Sequence, residues 1–195
     1  MPGVSDRTGT EAAPGRLIVL LGPSGSGKDT LIGRARAEFS GRPEVMFVQR
    51  VITRSAEAGN EDHIAMSDAD FDAAIDDGRF ALTWAANGLR YGLPRDIEAH
   101  LAAGKVAVVN GSRGAWGVIR QVFPSARAVE IRVDAAILAQ RLQTRGRESA
   151  PEIEARLVRA AALTSQVEPD LIIDNSGSVE TAGAMLIDYI GRSAS

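Results

Sequence analysis

The sequence predicts an α/β protein built around a mostly parallel sheet, and three observations support this fold class. Residues 17–21 (Leu-Ile-Val-Leu-Leu) and 106–109 (Val-Ala-Val-Val) are short, continuous apolar segments, which is typical of strands buried on both faces. Helical patterns lie between the apolar segments, and this alternation indicates βαβ units. A glycine-rich loop directly follows the first apolar segment and precedes a helical one. The chain therefore carries a central sheet flanked by helices.

The remaining elements follow the same alternation. Residues 1–15 are polar and rich in glycine and proline, so we expect a disordered tail rather than a signal peptide, followed by one domain over residues 16–195. Further strands are expected at 46–52, 128–133 and 171–173, and helices at 28–39, 115–122, 134–145, 150–167 and 178–190.

Residues 41–104 interrupt this alternation and predict a small subdomain inserted at the edge of the sheet. Residues 80–85 and 88–93 are expected to form short strands, because Asn87-Gly88 between them is a strong hairpin signal. A helix is expected to begin at Pro94, since proline is favourable in a first turn, and to end near residue 104.

Composition excludes several classes of function. The chain has no cysteine and only two histidines, which excludes disulfide scaffolds, thiolate metal sites and cysteine nucleophiles. The net charge of -3 argues against a dedicated nucleic-acid-binding protein. No apolar segment approaches the roughly 18 residues that a membrane span needs. We therefore expect a cytoplasmic protein that binds small molecules rather than nucleic acid or membrane.

Residues 22–28 (Gly-Pro-Ser-Gly-Ser-Gly-Lys) fit the pattern G-x-x-x-x-G-K of a phosphate-binding loop, and they lie between a predicted strand and a predicted helix as that motif requires. Glycines let successive N–H groups point at phosphate oxygens, and the helix N-terminus adds a positive dipole end. Lys28 is then placed to bridge the β- and γ-phosphates of a nucleotide. The predicted nucleotide-binding residues are Gly22, Pro23, Ser24, Gly25, Ser26, Gly27 and Lys28.

The residue after the lysine departs from the usual motif. Phosphate loops carry Ser or Thr there, whose hydroxyl holds Mg²⁺, whereas this chain has Asp29 followed by Thr30. A carboxylate is a hard oxygen ligand and suits Mg²⁺ directly or through water. We expect Asp29 to hold the metal ion, with Thr30 as the alternative.

Beyond this loop, residues 16–191 resemble the guanylate-kinase-type nucleoside monophosphate kinases. The resemblance is carried by the phosphate loop, Thr53-Arg54, the Asn87-Gly88 turn, Tyr91-Gly92 and the arginine-rich segment 141–149. It implies a P-loop kinase fold that uses ATP, an acceptor-binding subdomain over about 41–104 and a lid over about 141–157. It also implies that lid arginines contact the ATP phosphates, namely Arg145, Arg147 and Arg156. By spacing alone, the same arginines also suit a solvated helix face paired with glutamates.

Three positions that read guanine in the guanylate kinases differ in this chain. The family has Glu before the tryptophan, Ser or Thr after Tyr-Gly, and Asp in the segment that corresponds to 110–113. Here those places hold Thr83, Leu93 and Asn110-Gly111-Ser112-Arg113. A buried site built to hydrogen-bond a base loses discrimination steeply without its partners. The sequence thus predicts a lost base pocket beside a partly retained phosphate pocket.

These departures are similar to the ribose 1,5-bisphosphate phosphokinases of phosphonate breakdown, and the segments that match are 22–29, 52–54, 63–65, 87–89, 109–113 and 145–148. The resemblance implies Mg²⁺- and ATP-dependent phosphorylation of α-D-ribose 1,5-bisphosphate, a sugar phosphate, to 5-phospho-α-D-ribose 1-diphosphate. The alternatives are a guanylate kinase with an unusual pocket and an inactive guanylate-kinase-like interaction module. The intact Lys28 argues against the inactive module.

The acceptor is expected to meet a set of cationic and polar side chains, since two phosphate groups need cations. This set consists of Arg50, Arg54, His63, Arg90, Tyr91, Asn110 and Arg113. Arg54 and Arg113 are the best candidates, and His63 suits a surface loop nearly as well. Asn175 lies where this fold usually contacts adenine, although a turn beside a helix explains it equally well.

Overall fold

The computed structural model describes residues 15–55, 62–146 and 167–194, together with residues 151, 153–155 and 157–158. Residues 1–14 of the expected tail therefore lie outside the described residues, as does most of the segment that follows residue 146. Within the described parts of the chain, no helix is both long and apolar enough to cross a membrane.

The central sheet has five strands, all paired in parallel. The strands are β1 (Arg16–Leu21), β2 (Val45–Val48), β7 (Val106–Asn110), β8 (Arg127–Arg132) and β9 (Leu171–Asp174). Their order across the sheet is β2-β7-β1-β8-β9. Because connections between parallel strands run through helices, this sheet confirms the α/β class predicted from the sequence.

The helices with defined bounds are α1 (Lys28–Glu38), α2 (Asp68–Asp76), α3 (Asp96–Ala102), α4 (Trp116–Val122), α5 (Ala135–Arg145) and α6 (Val179–Ser193). Four of them, α1, α3, α4 and α6, pack on the two faces of the central sheet. Alternate residues of β1 face opposite sides. Ile18 and Leu20 pack in the cluster with α1 and α6, whereas Leu17, Val19 and Leu21 pack with α3 and α4. All five side chains are fully buried, so β1 lies at the centre of the core.

A second, four-stranded sheet lies in the inserted region. It is formed by β3 (Val51–Ile52), β4 (Ile64–Ala65), β5 (Phe80–Ala86) and β6 (Leu89–Pro94), in the order β4-β3-β6-β5. Asn87 and Gly88 join β5 to β6 with φ values of 53° and 73°. Positive φ at both central residues is what a tight two-residue hairpin turn requires, so the predicted hairpin is confirmed.

The segment expected to be one strand at 46–52 is divided between the two sheets. Val45–Val48 pairs with β7 in the central sheet, whereas Val51 and Ile52 pair with β6 in the second. The polar residues Gln49 and Arg50 interrupt the apolar run, and the chain leaves the central sheet there. The second sheet thus spans residues 51–94, whereas β2 and α3 contribute to the central core.

Candidate active site

The phosphate loop connects β1 to α1 at the carboxyl end of the parallel strands, where ligands bind in open α/β sheets. Gly27 precedes α1 with a φ of 89°, a conformation that favours glycine. It has no side chain to cap the helix, so the first-turn N–H groups of α1 are directed at the loop. This arrangement of N–H groups at a helix N-terminus suits an anion such as phosphate.

Lys28 extends across this loop. Its Nζ donates hydrogen bonds to the carbonyl oxygens of Gly22 at 2.9 Å and Pro23 at 3.0 Å. The ammonium group is thereby held over the N–H groups that curl around the loop. A cation in that position neutralises charge on the β- and γ-phosphates of a nucleotide.

The side chain of Asn175 is hydrogen-bonded to the main chain of the phosphate loop. Its Nδ2 donates a 2.8 Å hydrogen bond to the carbonyl oxygen of Ser26, and the side chain is almost fully buried. A β-carbon on Gly27 would lie 2.4 Å from that Nδ2. The main-chain carbonyl oxygen of Asn175 in turn accepts a hydrogen bond from Nη2 of Arg141 in α5 at 2.9 Å. Asn175 therefore links the phosphate loop to the helix that leads into the predicted lid.

A cleft of about 460 Å³ opens beside the loop, between α1, α5 and the start of α6. Thr30 faces this cleft, which also contains Asn175. Its lining residues are Gly25, Gly27, Thr30, Gln140, Arg141, Thr144, Asn175 and Val179. The cleft adjoins the phosphate loop, and it has room for the rest of a nucleotide.

Asp29 and Asn110 meet on the other side of the loop. The Nδ2 of Asn110 donates a 2.6 Å hydrogen bond to Oδ1 of Asp29. Asn110 ends β7 and is buried, whereas Asp29 lies in the first turn of α1 and is exposed. The structure thus brings together Asp29, predicted to hold Mg²⁺, and Asn110, predicted to meet the acceptor. Thr30, the alternative metal ligand, lines the cleft of about 460 Å³ instead.

Arg113 lies deeper than expected for a residue that meets a substrate. Its side chain is 4% exposed, and its Nη1 lies 3.9 Å from Oε1 of Glu130, whose side chain is 2% exposed. Arg132 pairs with the same carboxylate at 2.8 Å. Burial lowers the pKa of the Arg113 guanidinium, and the charge of Glu130 opposes that shift.

Sequence analysis missed Glu130 as a member of the site. It lies on β8 directly opposite Leu21, the last residue before the phosphate loop. The available signal was a lone acidic residue inside an otherwise apolar segment, Ala128-Val129-Glu130-Ile131. A buried carboxylate requires cationic partners, and Arg113 and Arg132 supply them.

A second cleft, of about 720 Å³, opens in the inserted region. Arg54 lines this cleft together with Thr53 and Ser55, and the buried Nε of Arg54 has no hydrogen-bond partner among the described residues. Nε2 of His63 lies 3.4 Å from the carbonyl oxygen of Arg54. His63 is itself buried, so it contacts the main chain behind Arg54 rather than lying in a surface loop.

The other predicted acceptor residues are partnered within the protein. The Tyr91 ring stacks on Trp84 with centroids 5.3 Å apart, and the guanidinium of Arg50 lies 5.2 Å from the centre of the Tyr91 ring. Arg90 points to α2, where its Nη2 lies 2.7 Å from Oδ1 of Asp72. The structure thus places these side chains around the second sheet without showing that they meet a ligand.

The predicted lid is described only at its base. Arg147 and Arg156 lie outside the described residues, and so does the side chain of Arg145. Helix α5 ends at Gly146, which adopts a left-handed conformation, with a φ of 62°. Beyond it, Ile153 packs with Leu138 and Leu142 of α5.

Comparison with known proteins places these observations in a family. The model of the family described as guanylate kinase matches residues 14–192. A protein from Agrobacterium fabrum named ribose 1,5-bisphosphate phosphokinase PhnN is 43% identical over 178 residues, which covers 91% of this chain and 97% of that protein. Proteins of the same name from Desulfomicrobium baculatum and Pseudomonas paraeruginosa are 45% and 47% identical, over 90% and 91% of this chain and 94% and 96% of theirs.

Solved structures match the fold. A guanylate kinase from Anaplasma phagocytophilum superposes with a TM-score of 0.66 at 15% sequence identity, covering 93% of this chain and 87% of that one. A sugar kinase from Janibacter sp. HTCC2649 superposes with a TM-score of 0.50 at 20% identity, covering 91% and 95%. The resemblance drawn from the motifs is thereby confirmed: the chain belongs to the guanylate kinase family and, within it, to the group formed by the ribose 1,5-bisphosphate phosphokinases.

Proposed function

We propose that this kinase transfers the γ-phosphoryl group of ATP to the anomeric phosphate of α-D-ribose 1,5-bisphosphate. The products would be 5-phospho-α-D-ribose 1-diphosphate and ADP. The proposal rests chiefly on the replacement of the three guanine-reading positions. The shared name of relatives at 43–47% identity over about nine-tenths of the chain supports it independently.

The three replaced positions offer guanine no carboxylate. Leu93 is fully buried in the cluster that packs against the central sheet, so it presents no polar group to a base. Thr83 carries a hydroxyl in place of a carboxylate, and the amide of Asn110 donates to Asp29. Guanine bound there would bury N–H groups without the acceptors that a guanylate kinase supplies. Unpaired buried groups of this kind lower kcat/KM by several orders of magnitude.

A sugar bisphosphate suits the side chains that remain. Arg54 offers an unpartnered Nε at the cleft of the inserted region, and Thr53 and Ser55 add short polar groups beside it. Arginine recognises phosphate through paired, charge-assisted hydrogen bonds. We assign Arg54 to one phosphate of the acceptor. His63 contacts the main chain of Arg54, and Arg50 lies against the ring of Tyr91 in the second sheet.

The reaction requires positioning and charge neutralisation rather than a base. The second pKa of a phosphate group is near 6, so the acceptor is largely a dianion at neutral pH and has no proton to lose. One of its oxygens forms a bond to the γ-phosphorus of ATP while the bond from that phosphorus to the β,γ-bridging oxygen breaks. Lys28 and the loop N–H groups balance the charge on the departing diphosphate. The lid arginines are proposed to balance charge on the transferred group.

The residues at the loop fit a magnesium-bound nucleotide. Mg²⁺ usually binds one or two carboxylates together with substrate phosphates and waters. Asp29 offers one such carboxylate, and the buried Oδ1 of Asn110 has no hydrogen-bond partner in the described part of the chain. When bound, the metal ion would supply positive charge that offsets the charge of the nucleotide phosphates.

A competition assay tests the proposed substrate. With ATP, Mg²⁺, ribose 1,5-bisphosphate and GMP in one mixture, we expect kcat/KM for the sugar bisphosphate to exceed that for GMP by at least about 10³, given the penalty for unpaired buried groups. Product identification by phosphorus NMR would show a new diphosphate on C1 of ribose. Comparable consumption of GMP would instead make the chain a guanylate kinase with an unusual pocket.

A further inference from the structure

We propose that Asn110 is a positioning residue for Asp29, and that the two residues exchange the roles that a hydroxyl and a carboxylate have in other phosphate loops. In those loops a Ser or Thr after the lysine and an Asp at the end of a neighbouring strand hold Mg²⁺. Here the carboxylate is on α1 and the neutral partner is on β7. This inference rests on the proposed function only in that it requires a magnesium-bound nucleotide.

The orientation of the Asn110 amide follows from its partner. A carboxylate at neutral pH only accepts hydrogen bonds, so the group 2.6 Å from Oδ1 of Asp29 must be the NH₂ of Asn110. This hydrogen bond is charge-assisted, and such bonds are shorter and stronger than those between neutral groups. The Oδ1 of Asn110 is then directed elsewhere. It is buried and without a hydrogen-bond partner among the described residues.

The strand holds the Asn110 amide firmly in place. Asn110 pairs with Leu20 in the register of β1 and β7, and the next N–H, of Gly111, donates to the carbonyl oxygen of Leu20 at 2.9 Å. A β-carbon on Gly111 would lie 2.3 Å from Cγ1 of Val19, so the backbone here is closely packed. The amide thus gives Asp29, which is exposed, a rigid partner.

The net charge of the Asp29–Asn110 pair equals that of the usual magnesium-binding pair. The pair carries one negative charge, as a hydroxyl–carboxylate pair does, but this charge is on the helix rather than on the strand. Asp29 is the exposed member of the pair, so its carboxylate is the group that can reach a bound metal ion or one of the several waters that Mg²⁺ usually keeps. Replacing both residues by the usual Ser and Asp should therefore preserve magnesium binding, whereas replacing either one alone should weaken it.

The test measures nucleotide binding rather than turnover. The affinity of a fluorescent ATP analogue is measured with Mg²⁺ and with EDTA, and the ratio of the two dissociation constants gives the gain from the metal ion. Asn110→Asp brings two carboxylates together, and Asp29→Ser leaves the pair without charge. We expect each single variant to lose about 10-fold or more of this gain. The double variant Asp29→Ser/Asn110→Asp restores one hydroxyl and one carboxylate, and should keep the gain to within about 3-fold.

A matched control is available in the same protein. Gln49 donates its amide to Oδ1 of Asp62 at 2.6 Å, which is the same kind of bond at the same length but on the surface. Gln49→Ala should leave the gain from Mg²⁺ unchanged. Circular dichroism and thermal unfolding of each variant separate a folding defect from a binding defect.

The proposal is overturned if the losses in the two single variants simply add in the double variant, or if Asn110→Asp keeps the full gain. It is also overturned if wild-type protein binds the analogue equally well with and without Mg²⁺. Failure of the substrate assignment would be seen separately. Efficient phosphorylation of GMP would refute the sugar bisphosphate but would leave the coupling between Asp29 and Asn110 intact.

Discussion

The phosphate loop and the acceptor cleft are both assigned to phosphate groups, yet they are built in different ways. The loop relies on the main chain: its N–H groups, the start of α1 and a lysine that is held by two carbonyl oxygens. The acceptor region relies on side chains from separate strands, and most of its arginines already have partners. Arg90 pairs with Asp72, Arg113 with Glu130, and Arg50 stacks on Tyr91.

This difference separates two uses of positive charge. At the loop, the ammonium group of Lys28 is held by the main-chain carbonyl oxygens of Gly22 and Pro23. Among the predicted acceptor residues, carboxylates balance the charges of Arg90 and Arg113, and these pairs join β6 to α2 and the segment after β7 to β8. Arg54 is distinguished by its unpartnered buried Nε. A count of arginines alone would therefore overestimate the charge that an acceptor meets.

Replacing the lysine should give the largest effect among the point variants that test this comparison. Lys28→Ala removes a cation that balances charge in the transition state, and we expect turnover to fall by about 10²-fold or more, as for other lost electrostatic contacts. The thermal unfolding temperature should change little, because Lys28 lies where the phosphate loop meets α1, at the edge of the sheet, and belongs to neither of the two core clusters that flank the sheet. Steady-state kinetics with saturating ATP is the measurement. Near-normal turnover would refute the assignment of the phosphate loop to ATP binding.

Arg54 tests the other side of the comparison. Arg54→Gln should raise KM for the sugar bisphosphate by about 10-fold or more, since a charge-assisted contact to phosphate is lost, while ATP affinity stays nearly unchanged. Arg95→Gln is the matched control, because Arg95 pairs with Glu98 on the surface. Arg90→Gln should have a smaller effect than Arg54→Gln, since its charge is balanced by Asp72. An equal rise in KM for Arg90→Gln would show that the acceptor draws Arg90 away from α2.

A variant at Asn175 should give the smallest effect of the three, and it tests how the phosphate loop is held in place. Asn175→Asp keeps the shape of the side chain but replaces the donor to the Ser26 carbonyl with an acceptor. If Asn175 supports the loop, ATP, GTP and inorganic tripolyphosphate should all bind about 10-fold more weakly. If it reads adenine instead, only ATP should be affected. Inhibition constants for the three ligands distinguish these outcomes.

The sequence predicted best what depends on neighbouring residues. The first strand, the phosphate loop and the helix after it are contiguous, so residues 16–38 carry their own structural information. The hairpin at Asn87-Gly88 was equally readable, because its turn needs particular residues at two adjacent positions. The curated relatives and the fold comparison confirm the α/β class and the family.

Long-range partners were harder to foresee. The division of residues 45–52 between two sheets depends on pairing with β7 and β6, which lie far along the chain. Glu130 gains its role from Arg113 and Arg132, and Asn175 from Ser26, a residue 149 positions away. Residue type suggested that each side chain was unusual, but only tertiary packing gives the partner. The roles of Arg145, Arg147 and Arg156 stay predictions.

The aspartate after the lysine has a consequence for how such proteins are found. A search pattern that demands serine or threonine at that position would pass over this chain, although its loop glycines, lysine and helix geometry are intact. A pattern that allows Asp there only together with Asn at the end of the neighbouring strand would retrieve it with fewer chance matches than one that simply allows Asp. Sequence surveys for phosphate loops should therefore treat the two positions as one joint feature.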